Sequence, residues 1–305
     1  MSAPRVVIFN DTHGWHSEQL TRALKHLGIE AVLTDLAACQ IDLDTASGLR
    51  IPGFDNVLPA AAIVRGIAPG SLEQITLRMD VLHMLAELGV PVLNPAIAIE
   101  HTVDKARTSL RLHQAGLNTP RTWACENADA ATAIVERALD TGQRLVMKPL
   151  FGCQGKGIIL IESLPQFRQQ IPVGDAFYLQ EYITPEQPGC WQDWRLLVIN
   201  GEVCAAMTRR SRHWVTNFAQ GASCFTTPLT DDMRQLAIRA TAAVDADYAG
   251  VDLIRHPDGE FFVLEVNSVP AWKGLYQATG IDIAAALAQA VNERITVTLA
   301  SHHAV

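Results

Sequence analysis

The sequence predicts an N-terminal α/β unit followed by α+β units, and three observations carry that prediction. Residues 6–33 run strand, polar loop, helix, strand, the order of a parallel sheet covered by helices. From residue 121 the pattern changes, with short strands bracketing a glycine-rich stretch and helices between them. Farther on, Asn200-Gly201 and Asp258-Gly259, each flanked by β-branched and aromatic runs, mark antiparallel hairpins.

In the first unit, residues 6–9 are a short apolar run of the buried parallel-strand type. A helix over 17–27 ends at Gly28, a natural C-terminal stop, and residues 29–33 form the next strand. Residues 40–56 lack a period and read as a loop excursion. A strand over 59–64 ends in Arg65-Gly66, Ser71 caps a helix running to Glu87, and residues 90–93 form another strand. Asn94-Pro95 breaks the pattern, helices follow over 96–101 and 104–115, and Gly116 and Pro120 close the unit. Ligands gather at the carboxyl ends of such parallel strands. Asn10, Asp11 and His13 are therefore candidate substrate contacts, with turn formation as the alternative.

The second unit reads as strand 121–124, helix 128–141, strand 144–148, the glycine-rich residues 151–157, strand 158–161, helix 164–170 and strand 176–182. Strands over 194–199 and 202–207 then pair through Asn200-Gly201. A helix over 231–245 precedes the last hairpin, and a helix over 283–293 follows it.

Composition narrows the function. At 305 residues the chain is long enough for two or three subdomains with cores of their own. A net charge of -8 provides no basic excess to neutralise a phosphate backbone, so no nucleic-acid partner is expected. No segment reads as a membrane span, and the first ten residues hold only a short apolar run, so neither a membrane partner nor a leader is expected and the location is cytoplasmic. The six cysteines are scattered without CxxC pairs and read as reduced thiols; the ten histidines show no ligand spacing either.

The last hairpin holds the densest chemistry. If Asp258 and Gly259 form a two-residue loop, Asp252 falls opposite Glu265, and Asn267 shares their face. Two carboxylates facing each other inside apolar strands need a cation or a proton between them. Three hard oxygen groups suit Mg²⁺, with Mn²⁺ as a substitute. The same pattern also fits the solvent side of an edge hairpin, and a turn that includes Pro257 would shift the register. Upstream, Gly152, Gly155 and Gly157, with Gln154 and Lys156, form a loop whose backbone N–H groups can approach phosphate oxygens, and Lys148 just before it is a fixed cation. A following helix and the Gly-Lys-Ser/Thr ending of a Walker loop are both missing. A flexible hairpin is the alternative for this loop, and a solvated lysine the alternative for Lys105.

Taken in order, Lys105, Lys148, the glycine loop, Gln180-Glu-Tyr-Ile183, Asp193-Trp-Arg195, Arg209-Arg210, Asn217, Asp252 and Glu265-Val-Asn267 resemble the ATP-grasp superfamily over essentially the whole chain. The likeness is strongest to its ribosomal-protein-S6-modifying, RimK-like glutamate ligases. It implies an ATP-grasp fold with a Rossmann-like pre-ATP-grasp domain over 1–103, a lid subdomain over 104–183 and a C-terminal subdomain over 184–305. By the same resemblance, Lys105 and Lys148 hold ATP phosphates beneath the glycine loop, Glu181 and Tyr182 line the adenine hinge, and Asp193 contacts the ribose. Asn217 lies near metal and phosphates, and Asp252, Glu265 and Asn267 bind Mg²⁺. Arg195 and Arg210 are the expected grip on an acyl phosphate and oxyanion, salt bridges on a sheet being the alternative. This chain carries Val215 where related ligases usually have an Arg, and its Trp272 and Lys273 also depart from them.

The function so implied is ATP- and Mg²⁺-dependent amide formation in a homo-oligomer, with glutamate as amine donor. The acceptor is a small acid of tetrahydromethanopterin or methanofuran type, or a peptide. Trp15, Trp214 and Trp272 are positioned for stacking or for packing, and the Arg209-Arg210-Arg212 cluster suits substrate carboxylates. A kinase that makes no amide and a non-catalytic nucleotide-binding regulator are the alternative functions.

Overall fold

The structure, a computed structural model, describes residues 3–55, 57–152, 155–185, 187, 189–216 and 221–302. The chain begins with β1 (Arg5–Phe9), α1 (Trp15–His26) and β2 (Glu30–Thr34), then a small hairpin of β3 (Gln40–Ile41) and β4 (Leu49–Arg50). It continues through β5 (Ala61–Val64), α2 (Leu72–Glu87) and β6 (Val92–Leu93). The β3–β4 hairpin occupies a stretch whose sequence reads as loop; two-residue strands are too short to show a period of two. The other four strands form a parallel sheet in the order β2-β1-β5-β6. Alternate residues of β1 explain its unbroken apolar run: Val6 and Ile8 enter a core with α1, while Val7 and Phe9 enter one with α2. The two helices thus leave neighbouring strands for opposite faces, which opens a switch point between the ends of β1 and β5.

Next come α3 (Ala96–Val103) and α4 (Lys105–Gln114), the latter capped by Asp104, whose Oδ1 accepts from the Ala106 and Arg107 amides. Then β7 (Thr122–Cys125), α5 (Ala128–Asp140), β8 (Leu145–Lys148), β9 (Ile159–Ile161), α6 (Leu164–Arg168) and β10 (Phe177–Glu181) build an antiparallel sheet in the order β7-β10-β8-β9. A second antiparallel sheet, β13-β12-β11-β14-β15, comes from β11 (Trp191–Ile199), β12 (Glu202–Ser211), β13 (Ser223–Thr226), β14 (Tyr248–Arg255) and β15 (Phe261–Asn267), with α7 (Asp231–Ala243) before β14. The chain closes with α8 (Lys273–Thr279) and α9 (Ile283–His302). The last helix runs well past residue 293, because its β-branched tail lowers helix propensity yet holds no Gly or Pro to stop it. Among the described residues no helix is long and apolar enough to cross a membrane.

Strand alternation divides the five-stranded sheet by function. Trp194, Leu196, Val198, Val251, Leu253 and Val263 turn to a core with α7. On the other face, Leu197, Ile199, Met207 and Tyr248 pack toward the N-terminal sheet and α9, leaving polar residues at the far end of the same strands.

Two contacts lock the N-terminal sheet to the final hairpin. Asn94, fully buried after β6, donates to the Tyr248 and Ser268 carbonyls (2.7 and 2.6 Å) and accepts from the Asp247 and Tyr248 amides (2.7 and 3.0 Å). All four of its hydrogen-bonding positions are used. Asn94→Ala strands four backbone groups, three of them in fully buried bonds, and is expected to cost about 3 kcal/mol or more of unfolding free energy, measurable by urea titration.

The second contact joins Trp272 to Arg65 and His16. Trp272 is 1% exposed, lies 4.2 Å under the Arg65 guanidinium and meets the His16 ring edge-on at 4.9 Å. Its amide donates to His16 Nε2 (3.1 Å), so this tryptophan packs rather than offering a free stacking face. Burial, with Arg65 and Lys273 nearby, pushes the His16 imidazole from 6.5 down to about 4. Between those values the unfolded chain binds more protons, so native stability falls on acidification through that window. Melting at about pH 7 and about pH 5 should show a larger drop for the natural protein than for His16→Gln.

Candidate active site

The hairpin that seats Asp252 and Glu265 reaches its register in two steps. The turn includes Pro257: the His256 amide donates to the Glu260 carbonyl (2.8 Å), and Arg255 pairs with Phe261. That register would set Asp252 opposite Leu264. A β-bulge between Leu253 and Asp252 absorbs one residue, so Asp252 pairs with Glu265 and Gly250 with Asn267. The expected pair forms, but the bulge rather than a two-residue loop produces it.

Beside this hairpin two cavities share a wall. The larger, about 340 Å³, runs from residues 181–183 at the end of β10 to Asp193 and Asp252 on the five-stranded sheet. The smaller, about 60 Å³, lies between Lys105 and the glycine loop, where Gly152, Gly155 and Lys156 line it. Lys148, Ile158, Leu264 and Glu265 border both. The bulge explains how two successive residues of β15, Leu264 and Glu265, reach the same side. Gly157 continues the loop toward β9; Gln154 and Asn217 fall outside the described residues.

Charge is concentrated along the shared wall. Burial pushes the Lys148 ammonium down to about 8; Glu265 pulls it upward and Lys105 opposes that pull. Lys148 Nζ donates to Gln180 Oε1, and Lys105 Nζ donates to the Gly152 carbonyl at 2.8 Å. Glu265 is half-buried and accepts no hydrogen bond among the described residues, so its oxygens remain available. Asn267 is also half-buried, and its Oδ1 accepts from the Val269 amide (3.0 Å).

Behind Glu265 a buried ion network crosses the sheet. Asp252 is held bidentately by Arg195, through Nε and at 2.7 Å through the second guanidinium nitrogen, and Arg209 reaches its Oδ2 at 3.0 Å. Arg209 in turn grips both oxygens of Asp193, and Thr216 Oγ1 donates to Asp193 Oδ2 (2.6 Å). Burial alone would lift the Asp252 carboxyl, but the two guanidiniums outweigh it and hold the group below the usual carboxylate range. Arg195 lies across Gly250, where an added Cβ would sit 2.8 Å from the guanidinium and 2.9 Å from Pro270 Cβ; only glycine allows that approach.

Other residues singled out in the sequence occupy definite places. Glu181 lines the larger cavity, but its carboxylate turns to the Arg121 side chain (3.2 Å) and to Gln143. Tyr182 also lines it, stacked under Arg144 (4.5 Å), with its hydroxyl accepting from Trp191 Nε1 (2.8 Å). Trp214 and Val215 border the same space, and the Trp214 ring meets Tyr182 edge-on at 6.1 Å. Arg210 is exposed at the rim, over Phe225 and 3.3 Å from Gln192 Oε1. Arg209, expected with Arg210 and Arg212 to meet substrate carboxylates, is instead buried against Asp193 and Asp252 and shares a face with Arg195. Its register partner is Asp193, so alternation along β11 and β12 could have identified it.

This arrangement of two antiparallel sheets clasping a cleft is the ATP-grasp fold. The ATP-grasp ligase PsnB, in its structure complexed with minimal precursor, Mg and ADP, superposes with a TM-score of 0.73 at 20% identity, covering 96% of this chain and 98% of that one. The RimK-like ATP-grasp domain model matches residues 102–291, and the chain belongs to that family. Tetrahydromethanopterin:alpha-L-glutamate ligase of Methanococcus maripaludis is 33% identical over 286 residues, covering 92% of this chain and 95% of that protein. Ribosomal protein bS6--L-glutamate ligase of Shigella flexneri is 28% identical, covering 95% and 96%.

Proposed function

We propose that this protein is an ATP- and Mg²⁺-dependent ligase that joins the amine of L-glutamate to a carboxylate of a small, cofactor-type acid through an acyl phosphate. The observation that carries this reading is the wall common to the two cavities, where Lys148 and Glu265 stand side by side. Adenine fits the larger cavity between Ile158 and Leu264, against the backbone of residues 181–183. The triphosphate then crosses the wall toward Lys105, Lys148 and Lys156. With the Glu181 carboxylate turned outward, the hinge offers backbone rather than side-chain groups.

The residues fit a hard divalent cation. Glu265 presents free oxygens, Asn267 an amide oxygen, and Asp252 the lone pairs that its arginines leave open. Bound there, Mg²⁺ would neutralise charge on the β- and γ-phosphates. The protein's own groups do the rest. The acceptor carboxylate oxygen attacks the γ-phosphorus as the bond to ADP breaks. Donor nitrogen then attacks the acyl carbon, and inorganic phosphate leaves with the amine's proton. Arg195, bidentate on Asp252 and laid over Gly250, supplies positive charge behind that carboxylate, and Arg210 stands at the rim to meet an anionic acceptor. Arg209 bridges Asp193 and Asp252.

The cofactor-type acceptor is supported by the 33% identity to the Methanococcus maripaludis tetrahydromethanopterin ligase, against 28% to the Shigella flexneri ribosomal protein ligase. The proposal keeps the division at 103/104 and 183/184, a homo-oligomeric state, a cytoplasmic location and no nucleic-acid partner. Mass spectrometry after incubation with ATP, Mg²⁺, L-glutamate and a panel of such acids tests it. Products heavier by glutamyl units are expected, with sustained ADP release only when acid and amine are both present. ADP release that glutamate leaves unchanged throughout the panel would refute it.

A further inference from the structure

The switch point between β1 and β5 carries polar groups whose charge and hydrogen-bonding capacity the fold uses only in part. Arg65, just after β5, is 9% exposed. Its guanidinium donates to the Pro270 carbonyl (2.8 Å) and lies 3.4 Å from the Tyr248 hydroxyl, yet its Nε is buried with no partner. Among the described residues no carboxylate pairs with it. A buried guanidinium without an anion is costly unless something supplies one.

On the other side of Gly66, acceptors converge without donors. A Cβ added to Gly66 would collide with Asp11 Oδ1 and lie 2.7 Å from Asn10 Oδ1, so both oxygens crowd one point of the backbone. Neither side chain makes a hydrogen bond among the described residues, and Asp11 is exposed to an incoming group. Arg65 and Gly66 are consecutive, so a cation without an anion and a pair of unpaired acceptors meet at the carboxyl end of β5.

That charge pattern is complementary to a zwitterion. We propose that the crevice formed by Asn10, Asp11, Arg65 and Gly66 seats the amine donor as an α-amino acid, with Arg65 taking its α-carboxylate and Asp11 and Asn10 taking its ammonium. The seat adjoins the reacting centre: the Pro270 carbonyl accepts from Arg65, and Pro270 Cβ and the Arg195 guanidinium lie 2.9 and 2.8 Å from the point where a Gly250 Cβ would sit. Pro270 follows Asn267 by three residues, so the proposed seat adjoins the end of the strand that carries the cation-site asparagine. The assignment rests on the ligase reading above and names where its second substrate sits.

The test compares L-glutamate with 4-aminobutyrate, which keeps an amine and a carboxylate but lacks the α-carboxylate, in the natural protein, Asp11→Asn and Arg65→Gln. Asp11→Asn should raise the donor KM about tenfold or more and leave the ATP KM unchanged. Arg65→Gln should erase the preference for L-glutamate over 4-aminobutyrate. Because Arg65 also anchors Pro270, the Asp11 variant serves as the arm free of packing effects. Calorimetric titration of L-glutamate into protein saturated with Mg²⁺ and ADP reads the site without turnover. Donor binding weakened by Asp11→Asn in a protein that forms no amide would uphold the crevice and sink the ligase reading. Amide formation with the donor KM and donor preference unchanged in both variants would overturn the crevice alone.

Discussion

Replacing Glu265 with Gln is expected to lower ligase turnover by about a thousandfold or more, while the melting temperature stays within about 3 °C of the natural protein. The two readouts separate because Glu265 contributes charge at the cavity wall and no core volume. Its carboxylate accepts no hydrogen bond among the described residues, so the amide substitution leaves no donor unpaired. What it removes is the anion that acts most strongly on the buried Lys148 and a hard oxygen ligand for the cation. Initial rates at saturating ATP and Mg²⁺, paired with a thermal melt, decide the matter. Activity retained at ordinary Mg²⁺ would contradict the metal assignment.

Arg209→Leu is expected to fail differently, by losing the fold's stability as well as its activity. The Arg209 guanidinium is the cation between Asp193 and Asp252, and all three side chains are about 5% exposed. Removing it leaves Asp193 without its cation and sets two buried carboxylates against each other, at a cost of about 3–5 kcal/mol. Burial already holds the Asp193 carboxyl above its usual range against the pull of Arg209, and in this variant the loss of that guanidinium raises it further. The native state then binds more protons than the unfolded state at neutral pH, so acidification stabilises the variant. Urea titrations at about pH 7.5 and about pH 5.5 should show the gap to the natural protein narrowing at the lower pH. An unchanged midpoint at both values would mean that the network bears no load.

Most of the architecture was legible because its strands and helices carry strong local patterns. The apolar run of β1, the Ser71 cap and the Asn200-Gly201 turn each speak for themselves in a few residues. The RimK-like family was legible for another reason, the order of short motifs along the whole chain. What escaped was set by distant partners. The β3–β4 hairpin and α8 are short, and α9 continues through residues of poor helix propensity. The pairing of Asp252 with Glu265 was expected from a turn that does not occur; a turn including Pro257 and a compensating bulge produce the same pair. Arg209 and Arg210 look alike in sequence, and only the pairing of β11 with β12 buries one and exposes the other. Arg65 was marked only by its place at the end of a strand, since its contacts with Pro270 and Trp272 lie more than 200 positions away.

The central claim is that this cleft transfers the γ-phosphoryl group of ATP to an acceptor carboxylate before an amide forms. Oxygen labelling tests it directly. With the acceptor carboxylate enriched in ¹⁸O, each amide formed should release inorganic phosphate carrying one atom of the label. Amide formation with unlabelled phosphate would contradict an acyl-phosphate route.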